Sequence, residues 1–182
     1  HIIKNINSNY RLVHRLDKET SGLLIIAKNL NYAKKISSLF KQKEITKYYI
    51  ALCEGNPKNN NSQVKLEIKN KKLKIENTLT NYKLLSKNKS ISSILFNPQT
   101  GKTHQIRIVS KNLGCPIVGD NKYNFYSKYK KENLMLHAFA LRFTINTEKF
   151  EFISILPDYF LNFIKKNNLK INSDLKNYLN SF

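Results

Sequence analysis

Apolar and polar positions change period several times along the chain, and each change marks an element. Between Gly22 and Lys28 the residues are almost continuously apolar (GLLIIAK), a run that predicts a short strand buried on both faces. A polar turn, Asp17–Ser21, precedes it. The spacing then lengthens: Ala33, Ile36, Leu39 and Phe40 share one face of a helix that Asn29 can cap and that runs to about Lys43. Thr46–Glu54 (TKYYIALCE) predicts a strand ending at Gly55, and the Asn-rich stretch Asn56–Ser62 a loop. From Gln63 to Asn77 the residues alternate, as in a polar-faced hairpin, and Thr78–Leu85 and Ser90–Phe96 predict two further strands. Thr103–Asn112 has helical spacing, with Gly114 suited to its C-terminal cap. Lys122–Glu132 is a basic, Tyr-rich surface stretch, and Leu136–Ile145 and Phe150–Leu156 predict a strand pair. The tail from Asp158 places Phe160, Phe163 and Ile164 at helical spacing. Many strands with few helices imply the α+β class: a mixed, mostly antiparallel sheet with flanking helices. No repeat or boundary divides the chain, so residues 1–182 are expected to form one domain.

Composition adds a partner class. An apolar fraction of 41% with 10 Phe and 10 Tyr suits a folded globule. The 32 Lys and Arg against 12 Asp and Glu leave a net charge of +20, a field that attracts polyanions. Lysine is also a residue of A/T-rich codons, as are the abundant Asn and Ile, so codon bias is a second source of basic charge. That makes the four arginines informative: where Lys substitutes so freely, a retained Arg points to a need for its planar fork. Arg15 and Arg107 fall in the motifs below, whereas Arg11 and Arg142 suit either surface or packing positions. Cys53 and Cys115 are too few and too far apart for a zinc site or a disulfide framework, and read as small buried hydrophobes. No apolar run approaches the ~20 residues that span a bilayer, and no secretory signal is present, so a cytoplasmic setting is expected. With His1 first and Met135 the sole Met, the chain reads as part of a longer protein.

Three segments carry candidate chemistry. In His14-Arg15-Leu16-Asp17-Lys18-Glu19-Thr20-Ser21-Gly22, Asp17 sits on a loop held by strands on both sides, a place for a rigidly positioned group. Thr20 and Ser21 can hydrogen-bond the loop backbone. An ordinary turn aspartate fits the same composition. In Pro98-Gln99-Thr100-Gly101-Lys102-Thr103-His104-Gln105-Ile106-Arg107, a phosphate-binding loop would need a second glycine where Phe96 stands, so a nucleotide-triphosphate site is excluded. What remains is a turn feeding a helix start that carries His, Gln and Arg, suited to phosphate or base edges or simply to a polar helix terminus. In Lys47-Tyr48-Tyr49-Ile50, alternation points Lys47 and Tyr49 one way and Tyr48 and Ile50 the other, so one tyrosine packs in the core and the other can meet a ligand beside Lys47.

Together and in this order, HRLD-xx-TSG-LL, K-x-Y-x-AL, TGKTHQIR…LGCPIVGDNKY, LMLHAFALRF and the Ile155-Leu156-Pro157 ending resemble the RluA-type pseudouridine synthases over essentially the whole chain. LVHRLDKETSG and LHAFALRFT resemble most the family's branch C, which acts on large-subunit ribosomal RNA. The resemblance implies the synthase catalytic fold, isomerisation of uridine to pseudouridine in 23S rRNA, RNA as partner, a monomer, and no cofactor or metal. It implies Asp17 as the nucleophile, Tyr49 as the tyrosine against the target uracil, Arg107 as the arginine paired with the aspartate, and Arg15 as the residue that displaces the flipped nucleotide. His104 and Gln105 belong to the same RNA-contacting block. Two departures stand out: Lys102 replaces the usual arginine of Gly-Arg-Thr-His, and the family's N-terminal strand and any S4-like RNA-binding domain would precede His1.

The implied reaction suits these residues. Detaching uracil, turning it and rejoining it through carbon needs no redox step, but it does need a carboxylate kept ionised in a water-poor pocket. Burial alone would neutralise that carboxylate, and an adjacent guanidinium such as Arg107 opposes this. A non-catalytic RNA-binding or ribosome-assembly protein on the same scaffold is the alternative. A metal nuclease would need clustered carboxylates, and the aspartates are scattered.

Overall fold

Strand-forming and helix-forming segments fall where the periodicity places them, with two exceptions. A computed structural model describes residues 9–69, 72–171 and 175–180. It contains β1 (Arg11–Leu12), β2 (Ser21–Gly22), β3 (Ile26–Ala27), α1 (Leu30–Gln42), β4 (Thr46–Glu54), β5 (Asn61–Lys69), β6 (Ile75–Lys87), β7 (Ile91–Pro98), α2 (Gln105–Asn112), β8 (Leu136–Ile145), β9 (Glu148–Ile153) and α3 (Asp158–Lys166), followed by a 3-10 turn at Leu175–Asn180. The main sheet has the order β2-β8-β4-β7-β6-β5, with β9 also paired to β8. Only β2–β8 is parallel, which makes the sheet mixed and mostly antiparallel, as expected.

The first exception is GLLIIAK, which does not form one buried strand. Gly22 has φ +105°, a conformation that side chains rarely adopt, and its α-carbon lies against the backbone of Ala138. The chain leaves the main sheet there, and Ile26–Ala27 pairs instead with Arg11–Leu12 in a small separate ladder. Leu23 and Ile25 pack only partly buried, beside α1. The second exception is the predicted break between the hairpin and Thr78–Leu85. The hairpin's second arm and Thr78–Leu85 both belong to β6, a single strand paired to β5 from Asn61↔Lys83 to Lys69↔Ile75.

α1 begins as its cap residue requires: the Asn29 side chain accepts a hydrogen bond from the Tyr32 N–H at 3.0 Å. Ala33 and Ile36 are buried and Leu39 and Phe40 pack beside them in a small cluster with Leu141 and Phe143. The larger core is built on β4, β7 and β8, with α2 and α3 against it, and includes Tyr48, Ile50, Leu52, Leu95, Phe96, Phe139 and Phe160. Cys53 and Cys115 are free thiols buried in that core. Arg142 is a packing arginine: it pairs with Glu151, donates to the Leu179 carbonyl at 3.1 Å and lies over the Tyr48 ring.

Candidate active site

β8 brings the first and third motifs together. Gly22 pairs with Ala138 on one side of β8 and Tyr49 pairs with the same Ala138 on the other. The Asp17 loop and the Tyr49 side chain therefore reach the same end of the sheet although they are far apart in sequence. The alternation along β4 is as expected: Lys47 and Tyr49 face a cleft, while Tyr48 and Ile50 are buried in the core.

The Asp17 loop is held from several directions. Its turn closes through Thr20 N–H to the Asp17 carbonyl at 3.0 Å. His14 Nε2 accepts the Ile25 N–H at 2.8 Å and its ring stacks on Phe40. Burial, with Lys47 nearby, lowers the His14 pKa to about 4, which keeps the accepting nitrogen free of a proton at neutral pH. Ser21 does not bond the loop backbone: Tyr159 O–H donates to its hydroxyl at 2.8 Å, and the hydroxyl meets His137 Nδ1 at 2.8 Å. Burial lowers the His137 pKa to about 4 as well, so the ring is neutral at neutral pH. Thr20 also departs from expectation, its buried hydroxyl having no partner among the described residues.

The loop opens onto a cleft of about 540 Å³ lined by Arg15, Asp17, Tyr49, His104 and Gln105 among others. Five cationic side chains line it (Arg15, Lys41, Lys43, Lys47 and Lys102) against the single carboxylate of Asp17. Such a rim raises the local concentration of a polyanion. Arg15 is exposed. Tyr49 is partly buried; burial first, and the Asp17 charge second, push its phenol pKa up to about 12, so it stays protonated across the neutral range.

His104 approaches the Asp17 carboxylate, with Nε2 3.9 Å from Oδ1. It caps α2 in the left-handed conformation, φ 56°, a region in which histidine is one of the more tolerated side chains. Its Nδ1 lies 2.9 Å from the Tyr123 hydroxyl. Burial lowers its pKa; Asp17 opposes this, while Arg107 and Lys122 reinforce it.

Gln105 is placed at the cleft but is fully occupied. Its carbonyl oxygen accepts from the Thr100 hydroxyl and the Lys102 N–H, and its amide donates to the Leu79 carbonyl and the Thr80 hydroxyl. No donor is left for a phosphate or base edge, so Gln105 fixes the Thr100–Lys102 turn instead.

The expected ion pair between Asp17 and Arg107 is not formed. Arg107 is buried and grips Asp120 bidentately, Nε to Oδ2 at 2.8 Å and Nη2 to Oδ1 at 2.6 Å. Asp120 Oδ1 also accepts from the N–H groups of Lys122 and Tyr123, each at 3.0 Å. Arg107 stacks 5.2 Å from the Tyr123 ring centroid. Burial pulls the guanidinium pKa down, but the hydrogen bonds and charge of Asp120, with Asp17 at longer range, carry it above the usual value. Arg107 is thus a cation behind the cleft wall whose field reaches Asp17 without touching it. Asp120, Tyr123 and His14 also shape the site, and composition alone does not single them out although they lie in LGCPIVGDNKY and HRLD. Among the described residues, no group of three or more His, Cys, Asp or Glu could hold a metal ion.

The mixed sheet that frames this cleft has the fold of solved pseudouridylate synthase domains. The human RNA pseudouridylate synthase domain containing 4 superposes with a TM-score of 0.82 at 25% identity, covering 90% of this chain and 78% of that one. The human domain containing 1 protein superposes with 0.80 at 28% identity, covering 94% and 79%. Residues 3–112 match the family model described as RNA pseudouridylate synthase, and the chain belongs to that family. It is 42% identical over 172 residues to ribosomal large subunit pseudouridine synthase C of Rickettsia prowazekii, covering 84% of this chain and 55% of the relative. Against ribosomal large subunit pseudouridine synthase D of Borreliella burgdorferi it is 35% identical over 178 residues, covering 88% and 54%. The chain spans about half the length of the curated relatives it matches.

Proposed function

We propose that this chain isomerises uridine to pseudouridine in large-subunit ribosomal RNA, with Asp17 as the nucleophile. The observation that supports it most is the convergence of Asp17 and Tyr49 on one stretch of β8, inside a cleft whose other charged side chains are all cationic. The names of the similar synthases favour the ribosomal substrate.

In the reaction the N1–C1′ bond breaks and a C5–C1′ bond forms, while C5 loses a proton and N1 gains one, so no atoms enter or leave. The target base must first leave its stack at a cost of a few kcal/mol. Arg15, exposed at the rim, fills the space the base vacates, and the Tyr49 ring stacks on the extruded uracil. Asp17 supplies the carboxylate that attacks the nucleotide. The lysine-lined cleft and the buried Arg107 guanidinium behind the wall place positive charge around that carboxylate. With its pKa near 12, the Tyr49 phenol meets the uracil as a neutral ring and O–H donor. To accept the C5 proton it must first give up its own. His104, 3.9 Å from Asp17, orients the carboxylate, while Arg107 and Gln105 hold the frame around it. The same proposal has the protein act as a monomer on ribosomal RNA in the cytoplasm.

The test is Asp17→Asn, assayed by chemical mapping of pseudouridine in large-subunit RNA after incubation with the protein. Conversion should vanish while RNA affinity stays within a few-fold of wild type. Full turnover by Asp17→Asn would remove the carboxylate from the mechanism, and binding without conversion by the wild-type protein would favour a non-catalytic RNA-binding role.

A further inference from the structure

Beyond Tyr123, the stretch after Asp120 takes no part in the chemistry above, yet it displays the most exposed aromatic side chains among the described residues. Tyr126 is 99% exposed and Phe125 60%. Two adjacent rings left in water are unusual beside a core that buries Phe and Tyr elsewhere.

The residues around them are fixed. Asn124 is buried and donates to Glu54 at 2.6 Å and to the Ile117 carbonyl at 3.3 Å. Ser127 is buried and its hydroxyl donates to the same Glu54 carboxylate, while Tyr129 N–H donates to Ser127 Oγ at 2.9 Å. Tyr129 packs edge-on against Phe163. The tip is therefore pinned on both sides and presents its rings with little ordering left to lose on binding. Lys122, Lys128, Lys130 and Lys131 are exposed around it, and no acidic residue lies between Asp120 and Glu132. On the near side Tyr123 contacts His104, which lines the cleft. Three residues further on, Tyr126 lies at most about 10 Å along the chain from Tyr123.

We propose that Phe125 and Tyr126 form a stacking platform for single-stranded RNA flanking the nucleotide in the cleft, with the four lysines on its phosphates. Aromatic rings interleaved with lysines grip single strands in this way with little sequence preference, and the lysines make the grip salt-dependent. The inference rests on the reading of the cleft as an RNA site and extends it to a second contact.

The chain contains no Trp, so Tyr126→Trp carries a single indole at the tip. Titration with a short single-stranded oligouridylate should quench that indole to saturation, less so as salt is raised. The double variant Phe125→Ala/Tyr126→Ala should bind the same labelled oligonucleotide about 5- to 150-fold more weakly by fluorescence anisotropy, with an unchanged melting midpoint. Wild-type affinity in the double variant, together with an indole silent at saturating RNA, overturns the platform. An indole that responds to phosphatidylserine vesicles and not to RNA overturns it too. If wild-type protein converts uridine while the indole stays silent, only the platform fails. If wild-type protein binds RNA without converting it, the catalytic proposal fails and the indole still decides the platform.

Discussion

Replacing Asp120 by Ala should destabilise the protein severely, and the structure gives the scale. The Asp120 side chain is 0% exposed and that of Arg107 7%. Four hydrogen bonds end on the Asp120 carboxylate: two from the guanidinium and one each from the Lys122 and Tyr123 N–H groups. Alanine leaves a buried, permanently charged arginine without its counter-ion and two N–H groups without an acceptor. Breaking a buried pair from one side costs about 3–5 kcal/mol, because the stranded charge cannot be resolvated. A domain of this size loses roughly 2–4 °C in melting temperature per kcal/mol, so the midpoint should fall by about 6–20 °C. Asp120→Asn keeps an oxygen for the two N–H groups and should fall between wild type and Ala. The double variant Arg107→Met/Asp120→Leu removes both charges and should recover most of the loss, since apolar replacement of a buried pair is often close to neutral. Urea titrations followed by circular dichroism measure all three. A loss below about 1 kcal/mol for Asp120→Ala, or a double variant no more stable than the single, would refute the argument that the pair is buried and mutually dependent.

Two more outcomes follow from the loop that carries Asp17. Gly22→Ala should cost at least about 2 kcal/mol, because φ +105° is strained for any side chain and a Cβ there would overlap the Ala138 carbonyl and lie 2.7 Å from its nitrogen; thermal melting checks it, and a shift within error would mean the β2–β8 approach is looser than described. Stability should fall as pH drops from about 6.5 towards 4, because His14 and His137 have folded pKa values near 4 against an unfolded value of 6.5. The unfolded chain then binds the extra protons, so the stabilisation is complete above pH 6.5 and is lost on acidification. Each ring contributes at most about 1.4 kcal/mol per pH unit, less for its partial exposure. His14→Gln should flatten the slope of urea midpoint against pH.

The elements that were legible in the sequence were those in which period, cap and length agree. β4 spans the predicted Thr46–Glu54, and α1 starts at its Asn29 cap. Where one signal stood alone it misled. A continuous apolar run is compatible with a strand, but the run beginning at Gly22 bends away because that glycine sits in a conformation no pattern of hydrophobicity encodes. The lone turn-favouring Asn77 suggests a break, but with no Gly or Pro beside it the strand runs straight through Asn77 and Thr78. Asp17, Tyr49 and Arg15 were found through motifs and do share a cleft. The partner of Arg107 was not, because ion pairing depends on which carboxylate the fold brings near. Asp120 follows Gly119, which has a positive φ, and no local charge pattern ties it to Arg107.

The arginines close the argument in a chain where lysine is the default cation. Arg107 uses its planar fork on Asp120, and Arg142 uses its own on Glu151 and the Leu179 carbonyl. Neither geometry suits an ammonium, which has no rigid pair of parallel donors. Arg11 donates to the Tyr10 carbonyl at the start of β1. Arg15 differs: it lines the cleft, exposed, with no hydrogen bond or ion pair to any other described residue. If the fork is the reason arginine persists where lysine is so freely used, then the fork of Arg15 serves a partner outside the protein. A planar, delocalised cation at the mouth of a basic cleft matches a phosphate or the face of a neighbouring base, which is where a strand of RNA must lie if Asp17 is to reach the sugar or ring of its uridine.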